Sequence, residues 1–185
     1  MKLLLKFNSS PNRTVEHERT KILYMKNQDC LITPTRRKRL ESQGYIGFTD
    51  AELNNFKFGI RFAYYLCGSL VILGLLLTNL KILSVAMIIA FFGSLPPYHP
   101  FDYLYNYVIR HLINKPKMPP RANQGRFACG IATVWLTGTI YLFYIGLNTW
   151  GYIAGGILVS IATLVSTMDI CIPSMIYNFL FKKKK

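Results

Sequence analysis

The sequence predicts an all-α integral membrane protein: four transmembrane helices in two antiparallel hairpins, with a cytoplasmic interfacial amphipathic helix between the hairpins. Three observations carry that expectation. Of 185 residues, 51% are hydrophobic and only 16% charged, and the apolar residues are gathered into runs. A helix crossing about 30 Å of hydrocarbon needs roughly 20 mostly apolar residues, and the chain supplies such runs repeatedly after residue 55. The formal net charge of +14 is concentrated in three places, the N-terminal arm, the 99–126 connection and the terminal KKKK, which alternate with those runs.

Residues 1–55 form a basic region polar enough to stay outside the bilayer. A cleavable signal peptide needs an apolar stretch of about 7 to 15 residues, and MKLLLKFNSS offers only three leucines between lysines, so a retained N-terminus is expected. KLLLKF and TKILYM read as short pairing strands, and TPTRRKRLESQG as a short helix that starts after Thr33 and Pro34 and stops at Gly44. FTDAELNNF then opens a helix capped by Thr49 or Asp50, with Glu52 in its first turn. From 56 to 181 the chain reads as the transmembrane domain, with spans at about 57–78, 80–96, 127–147 and 150–170. The second, built on ILSVAMIIAFFGSL, is shorter than the norm and needs Leu80 and the residues after Leu95 to cross. In the fourth, Gly151, Gly155 and Gly156 are assigned to helix packing, because small residues let two backbones approach closely in lipid.

The connection between the hairpins begins with PPYHP, whose prolines lack the backbone donor and break the second helix near Leu95. FDYLYNYVIRHLI follows as a helix over about 100–114 with Phe101, Leu104, Tyr105, Val108 and Leu112 on an apolar face and Asp102, Asn106 and Arg110 on another. This pattern suits a helix lying in the membrane interface. Positive charge sits in TRRKRL, in the 99–126 connection and in the 182–185 lysine tail, whereas the two hairpin turns hold Lys81 and no charge, respectively. The positive-inside rule then places both termini and the connection in the cytoplasm of a cell (inner) membrane. In a eukaryotic host the terminal KKKK also fits retrieval to the endoplasmic reticulum. The partners implied are the bilayer and its anionic headgroups. Nucleic acid is not among them, because no binding module accompanies the charge.

For chemistry, the candidate thiol is Cys171, with Cys129, Ser174 and Asp169 nearby. Cys129 lies 19 residues before the outer turn at Asn148 and Thr149 and Cys171 lies 22 after it, so at about 1.5 Å per residue their depths differ by roughly 5 Å. Cys67 is deeper and reads as a packing residue, and Cys30 belongs to the basic region. Pro173 favours a new helix whose N-terminus would lower the Cys171 pKa, while Asp169 and the end of the fourth span oppose it. Asp169 and Arg126 are expected to pair at the ends of adjacent spans, as a lock or as part of a site. His99 and Asp102 beside the proline break read as a helix cap or as a proton or ion site, and Arg110 as a further ion-pair candidate. Neither the cysteines nor the histidines have metal-ligand spacing, and no phosphate loop, nucleophile elbow or transporter half-repeat occurs, so neither metal nor cofactor is expected.

PPRANQGRFACG at 119–130, the apolar hairpin after it and DICIPSMIY at 169–177 resemble a family of small prokaryotic integral-membrane proteins known as domain of unknown function 4395. The similarity extends over about 56–181 and is closest over 119–181. The resemblance implies a Cys-x-x-Cys motif followed by a tyrosine, and here Cys171 and Tyr177 fit while Ser174 stands in place of the second cysteine. A dithiol closing within the motif is thereby excluded, although one thiolate suffices for a mixed disulfide or persulfide with a partner. Likeness to neighbours of rhodanese and thioredoxin proteins implies an accessory role in thiol or sulfur handling, with a thiol or rhodanese-like protein as partner. Two alternatives stand beside it: a structural subunit or scaffold of a larger membrane complex, and a small channel or transporter. A non-enzymatic or accessory chain is expected.

Overall fold

A computed structural model describes residues 32–181, which form one compact unit. The expected strands KLLLKF and TKILYM, Cys30 and the lysine tail lie outside the described residues. Among the described residues every regular element is helical: α1 (Pro34–Ser42), α2 (Asp50–Leu76), α3 (Leu80–Ser94), α4 (Pro100–Leu104), a π-helical segment (Tyr105–Ile109), α5 (Arg110–Leu112), α6 (Asn123–Tyr144), α7 (Asn148–Met168) and α8 (Ile172–Phe181).

Three of these, α2, α6 and α7, are long and apolar enough to cross a membrane. The fourth expected span is α3, a single helix of 15 residues, which at 1.5 Å per residue is about 22 Å long. Its start is fixed by Asn79, whose side chain accepts from the backbone of Lys81 and Ile82. Its end is set by PPYHP, as expected, since Ser94 is the last helical residue. The start of α2 is a capping box in which Thr49 and Glu52 satisfy each other's backbone N–H.

The four long helices close a ring: α2 packs on α3, α3 on α6, α6 on α7 and α7 on α2. Short turns join the α2–α3 and α6–α7 hairpins. Leu83, Val71, Leu75, Leu136 and Phe143 form the apolar cluster near the hairpin turns. At the other end α8 packs on α6, and α4 lies against α2 and α3. The expected helix over 100–114 is present as α4, the π-helical segment and α5.

Close approach within the ring explains two of the three glycines assigned to packing and corrects the third. A Cβ on Gly151 would meet the Phe143 ring at 2.9 Å, and one on Gly155 would meet Leu75 Cδ2 at 2.5 Å. A Cβ on Gly156 would have nothing within 4 Å, so Gly156 is not a packing residue; it is one residue on from Gly155 and points off the interface. Gly155→Leu is therefore expected to lower stability by about 2 kcal/mol through overpacking, whereas Gly156→Leu leaves it unchanged, as thermal unfolding in detergent will read.

Candidate functional site

The ring helices face one another with small side chains: Ala63 and Gly68 on α2, Ala86 and Ala90 on α3, Ala132 on α6 and Ala162 on α7. They leave a cavity of about 330 Å³. Interiors rarely hold voids much larger than a water molecule, and this volume lies at the lower edge of the range for ligand pockets.

Three cysteines from three separate segments line that cavity: Cys67 from α2, Cys129 from α6 and Cys171 from the turn between α7 and α8. Cys171 is 2% exposed. Burial pushes its thiol above the ordinary cysteine value, and the hydrogen bond donated by Ser174 Oγ to its Sγ at 3.0 Å opposes that shift without overcoming it. The resting group is a thiol. Pro173 does stand in the first turn of a new helix, and both the Ser174 hydroxyl and the Ser174 backbone N–H of that turn act on the sulfur, each favouring the thiolate. Among the described residues no three of His, Cys, Asp and Glu converge closely enough to hold a metal ion.

His99 and Asp102 meet the cavity as a cap and as half of an ion pair. His99 Nδ1 accepts from Phe101 N at 3.2 Å, and Asp102 Oδ2 accepts from His99 N at 3.0 Å, which together start α4. The imidazole packs against α3, where a Cβ on Gly93 would come within 2.2 Å of its Cδ2. Burial, followed by the Arg121 charge, pulls His99 down to about 3. The ring is thus neutral, and because Nδ1 is an acceptor the proton sits on Nε2, 3.7 Å from Cys67 Sγ. Asp102 is clamped by Arg121 through Nε at 2.5 Å and NH2 at 2.8 Å, a buried bidentate pair. Burial alone would pull the guanidinium down; Asp102 outweighs it and holds Arg121 protonated. The other side of Arg121 lies over the Tyr64 ring at 5.3 Å.

Asp169 is an ion-pair residue, but its partners differ from the expected one. Arg61 Nε donates to Oδ1 at 3.0 Å, Arg61 NH2 to Oδ2 at 2.7 Å, and Arg36 Nε to Oδ2 at 2.8 Å. Arg126 instead donates to the carbonyls of Ser94 and Leu95, at 3.2 and 2.6 Å, and so caps the C-terminus of α3. The reason is geometric: Asp169 adopts the left-handed conformation at φ 57° and hydrogen-bonds α1 and α2, whereas Arg126 reaches α3. Arg39 and Gln43 complete the clamp, donating to Met168 O at 2.9 Å and to Asp169 O at 2.8 Å. Arg110 has no carboxylate partner among the described residues and donates to Asn106 O at 2.6 Å within its own helix.

A family model described as "Domain of unknown function (DUF4395)" matches residues 57–182. The chain belongs to the DUF4395 family. No curated protein and no solved structure matches it. The DUF4395 match takes in all three cavity cysteines, His99, Arg121 and both clamped carboxylates.

The residues not foreseen as site members are Arg121, Arg36, Arg39, Tyr64, Gln43 and Cys67, the last of which the sequence reads as a packing residue and the structure places on the cavity beside His99. A signal for two of them was in plain view: after Glu52 the chain has only two acidic residues, Asp102 and Asp169, so each must find cations if buried. Asp169 shows the consequence. Burial would raise its pKa, but Arg61 and Arg36 hold the carboxyl below its ordinary value of 3.8. A depressed carboxylate contributes stability that is present above the unfolded-state pKa and lost as pH falls through the folded-state value. Asp169→Asn is expected to cost about 2 kcal/mol, a figure kept low because both arginines reach solvent. The gap between wild type and variant, followed by denaturant unfolding, should stay constant at neutral pH and close below pH 3.8.

Proposed function

We propose that the chain is a four-span membrane protein that handles thiols or sulfur at Cys171, inside the ring cavity and not at a protein surface. The observation that carries this reading is the convergence of Cys67, Cys129 and Cys171, from three separate segments, on one cavity. Span number rests on α3, which is short but packs along α2 on one side and α6 on the other, and so shares their depth. The orientation is read as cytoplasmic for both termini. Arg36, Arg39, Arg61 and Arg126 gather at the ring end that carries Asp169 and Leu95, and Lys81 alone marks the hairpin-turn end. α4 to α5 then lies at the cytoplasmic interface, where basic segments meet anionic headgroups.

The chemistry open to such a site is exchange at sulfur. Cys171, once deprotonated, attacks a sulfane or disulfide sulfur of a donor; one S–S bond forms, one breaks, and the displaced sulfur leaves as a thiolate. Ser174 cannot resolve the product, so an adduct on Cys171 persists until another thiol, Cys129 of the same cavity or one from outside, removes it. Burial of Cys171 restricts the donor to a small molecule or to a partner, such as a rhodanese-like protein, that opens the α7–α8 turn. A scaffold subunit with no chemistry is the competing reading, and it is favoured by the satisfied hydrogen bond between Ser174 and Cys171.

Thiol labelling in native membranes separates the two. A small membrane-permeant thiosulfonate should modify Cys171 at a rate that rises about tenfold per pH unit between about pH 7 and pH 9, because only the thiolate reacts, while a bulky impermeant maleimide should not. Treatment with a sulfane donor should add one sulfur atom to wild type and none to Cys171→Ser, as read by intact mass. A wild-type protein that takes up no sulfur, with a silent Cys171→Ser phenotype, favours the scaffold.

A further inference from the structure

We infer that the ring cavity binds a neutral, membrane-dissolved molecule with carbonyl acceptors, of the quinone head-group class, reaching it from the lipid between α6, α7 and α8. The inference goes beyond thiol handling and would hold even if Cys171 performed no chemistry.

Access comes first. On the α2 and α3 side Ala63, Val71, Ala86 and Ala90 are buried, and Tyr64, Cys67 and Gly68 are half-buried. On the α6 and α8 side the wall is one side chain thick: Trp135, Ile172 and Ile176 line the cavity and are also 39%, 39% and 43% exposed on the outer surface. That outer surface is apolar, and in a bilayer it meets acyl chains, so the ligand that arrives by this path is one dissolved in lipid.

Charge comes second. The charged group facing the cavity is Arg121, and its charge is already neutralised by the bidentate Asp102. His99 is uncharged. An added ion would be buried without a counter-ion, a desolvation that nothing in the cavity offsets, so the ligand is neutral. Hydrogen-bonding polarity narrows it further. His99 carries its proton on Nε2, 3.7 Å from the weak acceptor Cys67 Sγ, because Nδ1 is occupied by Phe101 N; Arg121 has only donors, and the thiols are weak donors. A ligand that fits this set carries acceptors, and carbonyl oxygens on a ring are the common neutral, lipid-soluble form.

Size comes last. A cavity of about 330 Å³ holds a head group of one or two rings and excludes a whole phospholipid. A chain attached to that ring would leave past Trp135 and Ile176 into the lipid.

Tryptophan quenching in the full-length chain tests this. A Trp150→Phe background leaves Trp135, on the cavity wall, as the reporter. Titration with a decyl-substituted benzoquinone should quench saturably, and the corresponding decyl alcohol, which lacks the ring, should not compete. Ala132→Phe or Ala162→Leu, which fill the space, should weaken binding at least about tenfold while circular dichroism and thermal unfolding confirm the fold; two variants are used so that one folded case remains. Quenching that does not saturate, that is equal in a folded filled-cavity variant, or that the alcohol abolishes would overturn the inference. Sulfur uptake at Cys171 is read separately, so each result stands without the other.

Discussion

The structure turns on one buried ion pair, Arg121 with Asp102. A charge taken out of water into an apolar interior is tolerated only when paired and hydrogen-bonded, and Arg121 meets that condition with two bonds to one carboxylate. The pair does more than cancel charge. Asp102 also accepts from His99 N, and Arg121 N donates to Pro97 O at 2.6 Å, so the start of α4 and the link before α6 are tied to the same point. Asn106 extends the tie by accepting from Met118 N at 2.8 Å, and Met118 packs where a Cβ on Gly59 would lie 2.5 Å from its sulfur. The connection between the hairpins is in this way a plug at one end of the ring. It positions the neutral His99 beside Cys67 and the cavity.

Asp169 answers the same problem at the α7–α8 turn, by another route. Its clamp comes from α1 and α2, with Arg39 and Gln43 holding the last carbonyls of α7. Cys171 lies two residues on from Asp169, and Ser174 on the first turn of α8 fixes its sulfur. Two acids and the arginines around them thus hold the two segments, one before α6 and one after α7, that close the cavity over its thiols. The groups enclosed there are three cysteines, a neutral imidazole and a guanidinium compensated by its carboxylate.

Much of the helical layout was legible in the chain because it depends on length and punctuation. Apolar runs near 20 residues gave α2, α6 and α7; Thr49 with Glu52 gave the capped start of α2; PPYHP gave the end of α3, and Gly44 the end of α1. The site was less legible, since its contacts join residues that no spacing rule relates. Arg36 and Asp169 are 133 positions apart, and Arg61 and Asp169 are 108 apart. Pairing Asp169 with Arg126 followed helix ends and missed the left-handed turn that hands Asp169 to other partners. The cavity was hidden for a different reason: alanines and glycines that promote close packing at Gly151 and Gly155 leave space where they face one another around a ring, and only three-dimensional placement separates the cases.

A double-mutant cycle across Asp102 and Arg121 tests the central claim most directly. Asp102→Asn, Arg121→Gln and the double variant are compared with wild type by unfolding in detergent. If the pair organises the plug, each single variant leaves a buried partner uncompensated and the coupling energy is about 2 kcal/mol or more. Additive effects, within about 0.5 kcal/mol, would show that the two residues act independently and would contradict the account.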